Sequence, residues 1–359
     1  MGAEAPGQAL GLVVALQANF CRVQLDQAAP GQAGTLLCTR RTRLGKSGQQ
    51  ICVGDRVRLE GIDWAAGRGA VAAIEPRQAP PLQRPAVANV DRVVVVIALA
   101  EPSPDPLQLT RFLVTAEASG RPVQLVLTKV DRTSPEQAEL WRRRLSLWGY
   151  DPALVSVVSG SGLEPLRQRL ALPGIAVLCG PSGVGKSSLL NALLPQLQLR
   201  VGAVSGRLQR GRHTTRHVEL FALAPGALLA DSPGFNRPQL PADPVELAAC
   251  FPELRACLAE ASCRFSNCLH RGDPGCVVAA GWDRFPLYLN CLEECLEQKE
   301  RLSSGAELDQ EPGLRQRGDR LEPRLKASLR QPSRRSQRQQ LANDNDGGSG
   351  AISRPGQED

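Results

Sequence analysis

The chain has 359 residues, 42% of them apolar and 22% charged, with 43 Lys and Arg against 36 Asp and Glu for a formal net charge of +7. That length and apolar content can bury two or three cores, and the lack of an apolar run of about eighteen residues argues against a membrane span. Eleven cysteines without a basic-then-apolar leader read as reduced thiols or metal ligands in a cytoplasmic protein, not as a disulfide scaffold.

Residues 1–80 read as a small β domain. Apolar residues cluster or alternate over strand lengths in Gly11-Leu-Val-Val-Ala and Phe20-Cys-Arg-Val-Gln-Leu. Pro30-Gly31 and Gly54-Asp55 punctuate them, and residues 53–59 read as a turn entering an alternating strand. Five or so short strands in this span suit an OB-fold barrel that binds RNA, or another small barrel without RNA contact. The basic run Arg40, Arg41, Arg43, Lys46 favours an anionic partner. The proline-rich residues 76–85 read as a linker.

Over residues 81–239 strands alternate with helices. Strands are expected at 92–99, 123–127, 154–158, 175–179 and 227–230, and helices at 135–147, 163–170 and 189–194. Near-continuous apolar strands separated by helices imply a mostly parallel sheet covered on both faces. Residues 240–300 are cysteine-rich and helical at both ends. Residues 301–359 are poor in large apolar side chains, with nine Lys or Arg against two acids between 315 and 340. A basic, disordered tail is expected there.

Gly180-Pro181-Ser182-Gly183-Val184-Gly185-Lys186-Ser187-Ser188 follows an apolar strand and opens a helix, which is the context of a phosphate loop. Its backbone N–H groups can cradle phosphates, Lys186 can reach the β- and γ-phosphates, and the Ser187 hydroxyl can ligate Mg²⁺. Asp231-Ser-Pro-Gly234 ends a strand 44 residues after Ser187. Asp231 there would hold Mg²⁺ through water, and the Gly234 N–H would meet the γ-phosphate. Thr128-Lys129-Val130-Asp131 closes the strand at 123–127. The Asp131 carboxylate can accept from guanine N1–H and the 2-amino group, which adenine cannot supply; Thr128 stands where Asn is usual. Ser159-Gly160 fits the loop whose backbone reaches guanine O6. Together the loops select GTP over ATP.

The base-reading loop precedes the phosphate loop, whereas an ordinary GTPase has the reverse order. Between the phosphate loop and Asp231 lies Arg210-Gly-Arg-His213-Thr214-Thr215-Arg216-His217. Either Thr214 or Thr215 would meet Mg²⁺ and the γ-phosphate, while Arg216 and His217 serve equally well as contacts to an RNA backbone. Phe235 occupies the place of the water-orienting Gln. A phenyl ring cannot orient water, so His213 or a partner surface must. Farther on, Cys263-x4-Cys268-x-His270-x5-Cys276 offers three thiolates and an imidazole for one structural Zn²⁺. Cys250 and Cys257 compete as ligands, while Cys291 and Cys295 suit a helix's core face.

This ordered set of motifs resembles the RsgA (YjeQ) family of circularly permuted GTPases, over about residues 8–298. The resemblance implies an OB-fold, a permuted G domain and a C-terminal helical zinc domain. It also implies binding to the small ribosomal subunit and its rRNA during late maturation, with GTP hydrolysis to GDP stimulated by that subunit. The apolar Phe235 matches the family and fits a catalytic His213 acting with Lys186 and Thr214 or Thr215. A monomer without membrane contact is expected. Switch II, at 231–235, would run almost directly into the zinc domain, so that loss of the γ-phosphate could reorient it.

Overall fold

The barrel forms because its strands alternate. In β2 (Phe20–Leu25), Cys21, Val23 and Leu25 point inward, and in β3 (Thr35–Arg40) Leu36 and Cys38 do the same. Val13 of β1 (Ala9–Gln17), Val57 and Leu59 of β4 (Arg56–Asp63) and Val71 of β5 (Arg68–Ile74) complete the core. The strands close in the order β1-β2-β3-β5-β4, with β3 and β5 parallel and β1 returning to β4. This is the OB-like barrel expected from the sequence. The computed structural model describes residues 8–17, 20–27, 34–40, 50–78, 81–82, 87–197, 218–231, 238–278, 281–303, 314–317 and 320–323. Met1–Leu296 form one compact unit and Glu297–Asp359 a second.

The barrel is fastened to the adjoining sheet domain. Val14 packs in the core of that sheet, and Ala15 bridges Glu219, which also pairs with Arg22. Asp55, fully buried, takes a fork from Arg77 (2.7 and 2.9 Å) and the Cys52 N–H (2.7 Å). Three charge-assisted bonds compensate the desolvation of that carboxylate.

The second assembly is a six-stranded sheet in the order β10-β11-β9-β6-β7-β8. Its strands are β6 (Val90–Ala98), β7 (Val123–Thr128), β8 (Ala153–Leu154), β9 (Gly174–Cys179), β10 (Leu220–Ala224) and β11 (Ala227–Asp231). All neighbours are parallel except the β10–β11 hairpin. The two-residue period of β6 sorts its valines. Val93 and Val95 face α1 (Pro106–Glu117) and α2 (Pro135–Leu147), while Val94 and Val96 face α3 (Leu163–Leu170) and α4 (Lys186–Leu193). Asp105 and Ser134 cap α1 and α2, each ahead of a proline in the first turn.

Some boundaries depart from expectation. The strand foreseen at 154–158 pairs only at Ala153–Leu154. The chain then turns, because the Ser156 N–H donates to Ser161 O and its hydroxyl accepts from the Ser159 N–H. Helix α4 begins at Lys186, three residues before the expected 189. The strand β10 carries no clear period in sequence and was not foreseen. Beyond Ser303 the described residues are β12 (Leu314–Arg317) and β13 (Arg320–Pro323), which pair antiparallel; the rest of the tail expected to be disordered lies outside the described residues.

Helices α5 (Pro244–Leu247), α6 (Pro252–Glu260) and α7 (Phe285–Ser303) enclose a further core around Phe251, Tyr288, Cys291 and Cys295. Cys291 and Cys295 face that core, as their spacing suggested. This region is bolted to α1 and α2. Arg284, fully buried, forks onto Glu253 and lies between the rings of Trp148 (4.7 Å) and Phe251 (4.6 Å). Asp283 accepts from Arg144 and from Trp148 Nε1, both at 2.7 Å. Removing Glu253 would strand the fully buried Arg284 charge, a cost of about 3–5 kcal/mol. Gln239 is held on α1, where Thr115 Oγ1 donates to its carbonyl (2.9 Å) and accepts its N–H (3.0 Å).

Candidate functional site

The carboxyl ends of parallel strands are where open α/β sheets bind ligands, and four of the sequence motifs meet there. The loop 180–185 leaves β9 and opens α4 at Lys186. Gly180 has φ +140°, and a Cβ on it would lie 2.1 Å from Val96 O, so only glycine lets the loop leave the sheet here. Gly185, at φ +92°, turns the chain into the helix. Lys186 folds back over the loop, its Nζ donating to Gly180 O (2.7 Å) and Pro181 O (2.8 Å). Ser187 and Ser188 sit half-buried in the first turn, where exposed N–H groups and the helix dipole favour an anion.

The segment Thr128–Asp131 is tied directly to that loop. The buried Thr128 hydroxyl lies 2.6 Å from Val184 O, to which it donates. Threonine in place of the usual Asn therefore still joins the two loops. Lys129 takes a left-handed conformation (φ +56°) and its Nζ donates to Gly183 O at 2.9 Å and to Glu101 O. Val130–Arg132 make a single 3-10 turn that presents Asp131 at the surface.

Ser156 is the residue the sequence reading missed. It is fully buried, donates its hydroxyl to Asp131 Oδ1 at 2.5 Å, and accepts from the Ser159 N–H at 3.1 Å. One hydroxyl thus fixes the Asp131 carboxylate and joins it to the Ser159-Gly160 turn. A serine just after the apolar residues 153–155 is the only signal, and it resembles an ordinary turn residue.

Asp231 ends β11 opposite Leu178 of β9, beside the start of the glycine loop. His213, Thr214, Thr215, Arg216, His217, Ser232, Gly234 and Phe235 lie outside the described residues, as do Arg41, Arg43 and Lys46.

A second constellation forms where α6 gives way to the turns at 261–276. Cys263, Cys268, His270 and Cys276 bring one ligand atom each to within 4.8 Å of one another. Tetrahedral coordination with Zn–S near 2.3 Å and Zn–N near 2.1 Å requires S···S edges of about 3.8 Å and S···N edges of about 3.6 Å. The observed Cys263–Cys276 edge is 3.9 Å, and His270 Nδ1 lies 3.5 and 3.7 Å from those sulfurs. Backbone N–H groups of His270 and Val277 point at Cys268 and Cys263 Sγ (3.4 and 3.5 Å), as thiolates need. Burial lowers the His270 pKa, keeping the imidazole neutral, and raises the Cys276 thiol to about 11. A bound cation would displace that proton. The donor set fits a thiophilic divalent metal, and Cys250 and Cys257, the competing ligands, lie outside it. No helix among the described residues is long and apolar enough to cross a membrane.

Known proteins share this arrangement. A family model described as RsgA GTPase matches residues 74–241. The small ribosomal subunit biogenesis GTPase RsgA of Synechococcus sp. (strain CC9605) is 59% identical over 286 residues, 80% of this chain and 94% of that protein. That of Trichormus variabilis is 48% identical over 358 residues, 93% of this chain and 96% of the relative. Among solved structures, YjeQ from Thermotoga maritima superposes with a TM-score of 0.67 at 28% identity, over 80% of this chain and 99% of its own. YloQ, described as a circularly permuted GTPase, gives 0.65 at 26% identity, over 82% and 97%. With identity this high along nearly the whole of its relatives, and with the permuted loop order built into one sheet, the chain belongs to the RsgA GTPase family.

Proposed function

We propose that this GTPase binds the small ribosomal subunit and assists its late maturation in the cytoplasm, hydrolysing GTP to GDP and phosphate under stimulation by that subunit. The observation that carries the nucleotide reading is the pair of bonds from Thr128 and Lys129 to Val184 and Gly183. They set the base-reading and phosphate-binding loops in one rigid frame, as a guanine nucleotide lying across both requires.

In this reading Thr128, Lys129, Val130 and Asp131 hold the base, with Ser156 orienting Asp131 and Ser159-Gly160 closing the rim. Gly180, Pro181, Ser182, Gly183, Val184, Gly185, Lys186, Ser187 and Ser188 hold the phosphates. Ser187 and Asp231 would hold Mg²⁺, a fit supported by their hard oxygen donors and by β11 ending at Asp231 beside β9, the strand that leads through the glycine loop to Ser187 in the first turn of α4; when bound, it would neutralise developing phosphate charge. Gly234 meets the γ-phosphate, Thr214 or Thr215 completes the shell, and His213 orients the attacking water. The domains then cover 1–80, 81–239, 240–300 and 301–359, the first meeting rRNA, in a protein that acts as a monomer.

Cys263, Cys268, His270 and Cys276 would hold one Zn²⁺, which supplies a fixed tetrahedral cross-link to the turns around it. Elemental analysis should find about one zinc per chain, and Cys268→Ser should weaken metal affinity at least ~100-fold with a lowered Tm. Full zinc occupancy in that variant would refute the ligand set.

Association with the small subunit should depend on nucleotide and salt. A non-hydrolysable GTP analogue should hold the complex in co-sedimentation, GDP should release it, and rising salt should weaken it through counterion release. Equal pelleting with analogue, GDP and no nucleotide, together with unstimulated turnover, would overturn the reading.

A further inference from the structure

The turn between the first two thiols of the Cys/His cluster carries a side-chain pair that the metal does not need. Arg264 and Phe265 are both exposed, Phe265 at 55%, and the Arg264 guanidinium stands 5.6 Å from the phenyl centroid. The Arg264 N–H donates to Gly275 O at 2.9 Å, and the Cys268 N–H to Phe265 O at 3.3 Å, so the backbone under the ring is pinned at both ends.

Beside this pair runs a groove of about 740 Å³ between the turn and helices α5 and α6. One wall is apolar, from Val245, Ala248, Leu258 and Ala259, the other rim carries Ser262, Arg264, Phe265 and Ser266, and Cys263, Cys268 and His270 of the metal cluster border it. No acidic side chain lines it. The other lining guanidinium, Arg255, is engaged with Glu117 and Ala249 O, which leaves Arg264 as the charge directed outward. Arg271, next to the ligand His270, is exposed on the same set of turns.

The geometry points to this groove as a seat for unpaired nucleotides of an RNA, one base stacked on Phe265 and the adjoining phosphate paired with Arg264. An aromatic face next to a guanidinium serves every base, and hydroxyls such as Ser262 and Ser266 can meet a base edge or a 2′-OH. An acidic or purely apolar partner fits worse. The former would gain nothing from Phe265, and the latter would bury Arg264 without a counter-charge. The inference rests on the rRNA-directed reading above and assigns that contact to particular residues.

The test uses the full-length, metal-loaded chain and a short fluorescein-labelled single-stranded RNA of mixed sequence. Phe265→Ala and Phe265→Leu should each weaken binding roughly tenfold, because leucine keeps the apolar bulk but not the stacking face. Phe265→Trp should bind at least as tightly, and RNA should quench its new emission above the background of the four native tryptophans. Metal content and basal GTP turnover should stay unchanged in all three variants. Equal RNA binding by the unmodified chain, Phe265→Ala and Phe265→Leu, or an unquenched Phe265→Trp, would overturn the inference. So would loss of small-subunit association in Phe265→Ala with unaltered RNA binding, since the groove would then take a protein segment. The RNA arm contains no ribosome, so failure of subunits to stimulate GTP turnover would count against the maturation reading and leave the groove's occupant readable.

Discussion

Replacing Lys186 with alanine should abolish GTP hydrolysis, lowering turnover or affinity by on the order of 10²–10³-fold. The Nζ is held over the glycine loop by Gly180 O and Pro181 O, two carbonyls that place a positive charge at the centre of the ring of backbone donors. The β- and γ-phosphates meet that charge at a site partly shielded from water, where it counts for more than at an open surface. The helix itself should survive, since α4 is anchored by Leu189, Leu190 and Leu193, all buried. An unchanged melting curve beside lost turnover is the expected result. Retained subunit-stimulated hydrolysis would move phosphate recognition elsewhere. The companion His213→Ala should spare affinity and lower stimulated kcat alone.

Changing Asp131 to asparagine should exchange the base preferred, weakening GTP by about 1–3 kcal/mol and improving xanthosine triphosphate. Guanine offers two donors to the carboxylate, whereas xanthine offers one donor and one carbonyl. An amide matches the second pattern, provided that it cannot flip. Ser156 supplies the restraint: its hydroxyl donates to Oδ1 at 2.5 Å, so the new amide nitrogen must take the other position. Ser156→Ala should therefore blunt the exchange. Direct titration of both nucleotides against the three proteins measures it, and equal preference for ATP and GTP in the unmodified chain would sink the assignment.

The parts of this site that could be read from sequence are those where backbone geometry forces residue identity. Gly180 cannot carry a Cβ against Val96 O, and Lys186 must follow at a helix start, so the motif is visible without coordinates. The Cys/His spacing is legible for the same reason, because four soft ligands must close within a few turns. The alternation of β6 into two cores makes the covered parallel sheet legible too. Ser156 was not legible. Its role depends on two backbone segments meeting at the strand ends, and an isolated serine records nothing of that. Arg284 was equally silent, because its partners Trp148 and Phe251 come from distant parts of the chain. The strand foreseen at 154–158 failed because the apolar residues that suggested it include Val158, which the turn leaves 83% exposed.

The joint around Arg284 also makes α2 a lever. Its thirteen residues, Pro135–Leu147, span about 20 Å at 1.5 Å per residue. The turn bearing Asp131 lies just before one end, and Trp148, gripped by Asp283 and Arg284, lies at the other. A rod of that length tilted by about 5° at its nucleotide end carries its far end through about 2 Å. The chain after Asp231 is held on α1 at Gln239 before it reaches the cysteines. On the base-reading side the helix itself makes the connection, and the stacked Arg284 guanidinium holds its far end.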